Sequence, residues 1–434
     1  MTDKLFNIIK YITPTRWHWA LEHEGYKRYF ANMSWMFGGQ TFYLLVSFFI
    51  GIWIARYLGP ENYGILNYSI AFVGLFGFIA NLGVDGILNR DLVQIPEKRD
   101  ELLGTTFRLK LIGGFLALLL SIISIFLFQG NQLIKLLVFL FSFSFILQSI
   151  NVISIYFNAE VKSKNNTKVR IFSTAISSIL KIVIILLGKG VIWLLVAFTL
   201  DFLWQGIGFI MVYKNYGLKI KNWVFNKNLA KEILKNSWPI ILGGASYLIY
   251  MKIDQVMIGS MLGNYEVGIY AAAVKLVEAW YFIPGIIATA LFPAIINAKK
   301  VGVEIYKSRL KNFYILMAII PIAMAIPITL LAKPIIQVVF GHSYIESIPV
   351  LKVYIWSSLG LFLTYAVGQY LLSENLVKFI FVSNVLAMIV NIVLNVIFIP
   401  IFGIIGSAWA TLISYFVIPL GVLAFNKTII LWRK

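Results

Sequence analysis

The sequence lacks cysteine, and with it disulfides, thiolate metal sites and cysteine nucleophiles. Histidine is nearly absent too. His18, His23 and His342 stand apart from one another, as surface residues and not as ligands or bases. Neither a GxxxxGK[ST] phosphate loop nor an HExxH motif occurs, so no metal and no cofactor is expected. Lys4, Lys10, Arg16, Glu22, Glu24, Lys27 and Arg28 interrupt the first thirty residues, and no cleaved leader is expected there. Phe6, Ile8, Ile9, Tyr11, Trp17 and Trp19 alternate with those charges, which suits an interfacial segment over 1–30.

Charge is scarce along the whole chain: 13% of the 434 residues are charged and 60% are apolar, against roughly 45–50% apolar in soluble domains. Apolar runs of about 20 residues, enough to cross a ~30 Å hydrocarbon layer, recur from Ala31 almost to the C-terminus. The expected fold class is an all-α polytopic membrane protein. Twelve transmembrane helices are expected, near 31–56, 63–85, 105–128, 133–157, 169–187, 190–213, 234–260, 265–290, 311–331, 348–372, 376–399 and 403–425.

The formal charge of +19 would suggest nucleic acid in a soluble chain, but its basic residues crowd into alternate connections between the spans, so nucleic acid is excluded as a partner. Those connections hold Arg90, Lys98, Arg99, Arg108 and Lys110, then Lys162, Lys164, Lys168 and Arg170, then the run from Lys214 to Lys235, then Lys299, Lys300, Lys307, Arg309 and Lys311. By the positive-inside rule they belong in the cytoplasm with both termini, in a cell membrane crossed many times. The opposite connections, such as "LGPENYG" (58–64) and "LGNYEVG" (262–268), are short and poor in charge.

Half the chain reads as a duplicate of the other half. "NMSWMFGGQTFYLL" (32–45) resembles "NSWPIILGGASYLI" (236–249), and "LGPENYGILNYSIAFV" (58–73) resembles "LGNYEVGIYAAAVKLV" (262–277), each offset by 204 residues. Six spans per unit is an even number, so both units share one orientation, with a pseudo-two-fold axis along the membrane normal. The expected domains are an N-lobe over 31–213, a basic linker over 214–233, a C-lobe over 234–425 and a cytoplasmic tail over 426–434. Two such lobes suit a transporter that rocks about a central site. Gly38 and Gly39, matched by Gly243 and Gly244, serve either as hinges or as points of close helix packing.

Charges inside the spans need a reason. At roughly 2.5–3.5 kcal/mol each near the bilayer centre, Lys181, Asp201, Lys252, Asp254, Lys275 and Glu278 must face protein or water. Lys275 and Glu278 are three apart and share a helix face, whereas Lys252 and Asp254 diverge by about 200° and need different partners. Lys181 with Asp201 reads as a structural ion pair. Arg56, Lys252 and Lys275 are the candidates for fixed positive charge in the cleft, where they would meet phosphate oxygens. Asp85, Asp254 and Glu278 are the candidates for binding a coupling proton or sodium ion. For Arg56 and Asp85 the alternative is a place at the headgroups.

The stretches "ARYLGPENYGILNYSIAFVGLFGFIANLGVDGILNRDL" (55–92) and "KIDQVMIGSMLGNYEVGIYAAAVKL" (252–276) resemble the polysaccharide flippases of the MOP superfamily, relatives of the multidrug MATE exporters. That resemblance implies two six-helix bundles and the translocation of a polyprenyl-pyrophosphate-linked oligosaccharide for O-antigen, capsule or related glycan synthesis. It implies as partners the lipid-linked substrate, membrane lipids, an ion gradient and other polysaccharide assembly proteins, and it implies no enzymatic activity. Asp254 and Gly259 match the family's signature in the seventh span, and Arg56 its basic residue before the "LG" turn. The alternative is a MATE-like ion-coupled exporter of small molecules. A polytopic glycan polymerase or glycosyltransferase would want a large outer loop with carboxylates, which this chain does not offer.

Overall fold

The computed structural model describes residues 24–374 and 376–425, and among these all regular structure is helical. Most of the expected interfacial segment 1–30 and the whole tail 426–434 lie outside the described residues. In chain order the helices are α1 (Glu24–Gly74), α2 (Gly77–Asn81), α3 (Asp85–Gln94), α4 (Arg99–Phe128), α5 (Gln132–Ser142), α6 (Ser144–Leu147), α7 (Val152–Ala159), α8 (Ser163–Leu186) and α9 (Val191–Asn215). The second half holds α10 (Lys227–Met261), α11 (Asn264–Glu278), α12 (Ile283–Val301), α13 (Val303–Leu330), α14 (Ala332–Val339), α15 (Ser347–Tyr354), α16 (Ser357–Ser373) and α17 (Val377–Phe425).

Among the described residues, nine helical stretches are long and apolar enough to cross a membrane. Two of them are double crossings. In α1, Gly59 leaves helical geometry at φ +67°. Gly51 lies before it and Gly74 after it, ~35 Å apart on a straight helix. Yet Gly51 touches Lys275 while Gly74 approaches Lys252, so the two arms run side by side. In α17 the turn is at Gly403, φ +60°, and Asn395 and Thr411 from its two arms both hydrogen-bond to Asp254. The remaining crossing is α10, whose charges make it less apolar but whose 35 residues exceed the length required. The total is the twelve spans expected.

The 204-residue repeat is visible in the backbone. Gly59 and Gly263, at φ +67° and +130°, turn the first span of each half into its second, a conformation that only glycine enters freely. Each second span then breaks at the same depth, between α1 and α2 and between α11 and α12. Each fourth span breaks as well: a 3₁₀ turn at Gln148–Asn151 separates α6 from α7, and α15 is interrupted before α16. Continuous spans were expected at these four places, and the interruptions are a finding of the structure.

Packing is unequal at the two ends. Opposite the basic connections one continuous core runs through both halves, from Ile54, Tyr63 and Leu66 to Ile258, Val267 and Tyr270. Toward the basic connections the apolar interior divides: one cluster holds Leu102, Phe157 and Tyr213 of the first half, and others hold Leu310, Phe362 and Tyr415 of the second. The molecule is closed at one end and parted at the other. At the parted end the halves remain joined where Val84, Ile87 and Leu109 pack on Ala230 and Ile233 of α10. Asn226 caps α10 by accepting from the backbone N–H of Asn228 (2.8 Å) and Leu229 (3.2 Å), and its own N–H donates to Thr105 Oγ1 at 3.0 Å.

Candidate functional site

Between the parted halves lies a cavity of about 1440 Å³, larger than the ~300–1,000 Å³ of sites for drug-sized ligands. Its walls come from α1 to α10 and from α12. The breaks in the second spans shape it, since Gly74 and Gly77 on one side and Phe282 on the other face the space. Four charged residues line it: Asp85, Lys110, Arg170 and Lys252.

Lys252 projects from α10 into the cavity, with Nζ 3.6 Å from Glu278 Oε1. Lys275 does not line the cavity. Its side chain lies against Gly51 of α1, where a methyl group would come within 2.8 Å of Cε. Glu278 stands behind Lys252 at the end of α11. Asp85 faces the cavity and accepts from Lys110 Nζ at 2.6 Å.

Arg56 is placed elsewhere. The expectation that it lines the cleft does not match this structure, in which it lies at the closed end. There it donates from Nε to the carbonyl of Val339 (2.7 Å) and from Nη2 to that of Val338, the last carbonyls of α14. The end of a helix leaves such carbonyls without intrahelical donors, and a guanidinium satisfies two at once.

Asp254 also lies away from the cavity, fully enclosed in the second half at 4% exposure. It accepts from Tyr270 Oη (2.9 Å), Asn395 Nδ2 (2.8 Å) and Thr411 Oγ1. Lys252 and Asp254 therefore have different partners, as their angular separation on α10 requires. Among the described residues no lysine or arginine pairs with Asp254. Asn395 Oδ1 and Ser407 Oγ beside it are buried without a hydrogen-bond partner. A carboxylate within a set of neutral oxygens fits a proton or a small hard cation such as sodium, which takes oxygen donors.

The glycine pairs keep helical backbone geometry. Gly39 packs tightly, since a methyl group there would lie 2.6 Å from Thr167 Cγ2 of α8, whereas Gly38 and Gly244 have open space around them. Lys181 pairs with Asp201 at 2.7 Å between α8 and α9.

Several residues of the site were not singled out from sequence. Lys110 and Arg170 were counted among the basic connections, yet both turn inward to the cavity. Asn391 and Asn395, four apart in the otherwise apolar "VLAMIVNIVLNVIFIP" (385–400), were the available signal for the surroundings of Asp254.

Residues 53–349 match the family model described as polysaccharide biosynthesis protein. The chain belongs to this family. It is 27% identical over 263 residues to an uncharacterised membrane protein of Methanocaldococcus jannaschii, a match covering 58% of this chain and 62% of that relative. The chain thus matches about three fifths of the relative's length. Its fold is shared with the lipid II flippase MurJ in an inward closed conformation (TM-score 0.71, 18% identity, 90% of this chain and 87% of that one). It is shared equally with a multidrug resistance MATE family transporter of the MOP superfamily in an inward-facing conformation (TM-score 0.69, 15% identity, 88% and 93%). This member of the polysaccharide biosynthesis family therefore has the MOP architecture, two pseudo-symmetric bundles of six helices.

Proposed function

We propose that this protein moves polyprenyl-pyrophosphate-linked oligosaccharides from the cytoplasmic to the outer leaflet by alternating access, driven by a proton or sodium gradient. The lobes of this machine are residues 31–213 and 234–425, joined by the basic linker 214–233. The observation that carries the reading is the cavity: about 1440 Å³, open toward the basic connections and lined by three cations and one acid. With those connections in the cytoplasm, the cavity faces the compartment where lipid-linked precursors are made. Membership of the polysaccharide biosynthesis family supports the same substrate class, and other polysaccharide assembly proteins are the natural suppliers and acceptors.

Lys252, with Arg170 nearer the mouth, supplies the charge for pyrophosphate oxygens. Lys275, packed against Gly51 outside the lining, adds positive charge near the Lys252–Glu278 pair. Asp254 is the ion site. A carboxylate enclosed with only neutral donors is costly when charged, so taking up a cation or proton changes the packing of α10 against α17, and α10 also carries Lys252. An exporter of cationic drugs is disfavoured because the lining is net positive.

The test is reconstitution of the purified protein in vesicles with a lipid-linked oligosaccharide on one leaflet, under imposed proton and sodium gradients. Appearance of the sugar on the opposite leaflet supports the reading. If correctly inserted protein moves none under either gradient, the reading is wrong.

A further inference from the structure

The two walls of the cavity differ in chemistry. From α10 and α12 the polar lining is Tyr247, Lys252 and Thr289 among apolar residues, whereas the opposite wall is rich in amides and hydroxyls. Many of these polar groups are already engaged. Asn166 donates to Ser154 O and Asn158 Oδ1, both at 2.8 Å, and Ser149 Oγ bonds its own helix at Ile146 O. Gln148, Asn151 and Gln205 line the cavity, and their side-chain amides have no hydrogen-bond partner among the described residues.

Their placement is built into the backbone. Gln148 and Asn151 are the first and last residues of the 3₁₀ turn that interrupts the fourth span. Side chains three apart eclipse in that geometry, so both amides leave the same side. Gln205 is brought beside them by Gly206, where a methyl group would lie 2.9 Å from Ile150 Cγ2 of the same turn. Alongside, the cavity-lining rings of Phe141 and Phe202 stand 6.4 Å apart.

We propose that Gln148, Asn151 and Gln205 form a sugar-reading face, so that the protein selects its cargo by the glycan as well as by the pyrophosphate. This rests on the lipid-linked oligosaccharide reading above. An amide both donates and accepts, as does each sugar hydroxyl, and three of them match a ring bearing several hydroxyls. The C–H face of that ring packs on the phenyl rings. Pyrophosphate, an acceptor only, has its own partner across the cavity in Lys252. The sugar therefore lies on the first lobe, and the phosphates reach from Arg170 on that lobe to Lys252 on the other, which ties the lobes together through the cargo.

The experiment compares binding of undecaprenyl pyrophosphate carrying no sugar, one hexose or three hexoses, by native mass spectrometry of the whole protein and of the Q148M/N151L/Q205M variant. Wild type is expected to favour the glycosylated lipids, and the variant to lose about 10- to 100-fold in affinity for them, as three hydrogen bonds imply, while holding the sugar-free lipid as before. Should the triple variant fail to insert, Gln205→Met alone is expected to show a smaller loss, again only for glycosylated lipid. Equal binding of all three lipids by wild type, or an unchanged preference in the variant, overturns the sugar-reading face and leaves the flippase reading standing. Binding of none of them by wild type removes both.

Discussion

Gly64 and Gly268, equivalent residues of the two repeats, meet at the closed end of the molecule, each against the backbone of the other's half. A methyl group on Gly64 would lie 1.7 Å from Asn264 O, and one on Gly268 would lie 1.9 Å from Pro60 O. Pro60 and Asn264 are themselves equivalent, 204 residues apart, so the contact is reciprocal about the pseudo-two-fold axis. No side chain fits there without parting the helices. Gly64→Ala is expected to weaken closure by about 1–3 kcal/mol, a factor of about 5–150 in the closed-to-open ratio. Because the chain has no cysteine of its own, a single Ala271→Cys in the shared core reports this directly. Its reaction with a membrane-impermeant maleimide added at the closed face should rise in the Gly64→Ala background, and labelling that stays at the wild-type level would show that this contact does not hold the end shut.

A second closure lies beside it. Tyr344 Oη donates to Ala55 O at 2.6 Å from a fully buried position, and exposed Arg56 holds the end of α14. Removing the buried hydroxyl leaves a carbonyl without its donor, at about 1–3 kcal/mol, whereas an exposed contact is worth less. Tyr344→Phe is therefore expected to open the closed end about 5- to 10-fold more than Arg56→Gln. Spin-label distances between the first span and α14 measure both, and equal effects would reverse the ranking of buried over exposed contacts.

The spans, the repeat and the two-bundle class were legible because a bilayer imposes ~20-residue apolar runs and duplication preserves glycines where side chains cannot fit. The breaks were not. "FSFSFILQSINVI" (141–153) is apolar enough to read as unbroken helix, and its 3₁₀ turn packs against Gly206, a residue far along the chain. Charge placement divides in the same way. That Lys252 and Asp254 part company follows from helix geometry alone, but the destination of Arg56 depends on α14, which follows 276 or more residues later in the chain (332 − 56). Lys110 and Arg170 sit near loops in sequence, and the packing of α4 and α8 in the fold brings them to the cavity.

Asp254 and its neighbours make a prediction about coupling. Asn is isosteric, accepts through Oδ1 from Asn395 and donates to the hydroxyls of Tyr270 and Thr411, so Asp254→Asn should fold. Its transport should no longer respond to an imposed proton or sodium gradient, while residual movement down the substrate gradient persists. Asp254→Ala, which leaves those donors unpaired at about 1–3 kcal/mol each, should be visibly less stable. Retention of wild-type gradient dependence by the Asn variant would remove Asp254 from the coupling mechanism.

Lys181 and Asp201 are 2.7 Å apart, with Lys181 Nζ also 3.9 Å from the Phe198 ring centre and Ser177 donating to Asp201. Neither residue lines the cavity. A pair of this kind is costly to break and cheap to replace. Lys181→Met alone should destabilise the protein by about 3–5 kcal/mol, and adding Asp201→Leu should restore most of it. Thermal unfolding in detergent checks this, with transport by the double variant near wild type if the pair only holds α8 to α9.

At the parted end, Glu374 gathers the connection after α16: Lys299 Nζ lies 2.9 Å from its Oε1, Tyr306 Oη donates to the same oxygen at 2.7 Å, and Tyr306 also meets Ser373 Oγ at 2.6 Å. Partial burial pushes the Glu374 carboxyl upward, but the hydrogen bonds from Tyr306 and Lys299, with the lysine's charge, outweigh it and hold the group below its ordinary value. The sign follows. A carboxylate lowered in the folded state contributes stability that is complete above the unfolded value of about 4.3 and disappears as pH falls through the lower folded value. Glu374→Gln should therefore melt below wild type by the same margin across pH 6–8, about two units clear of that value, and the two curves should converge under more acid conditions. A margin that widens as pH falls would mean that the glutamate acts through something other than its charge.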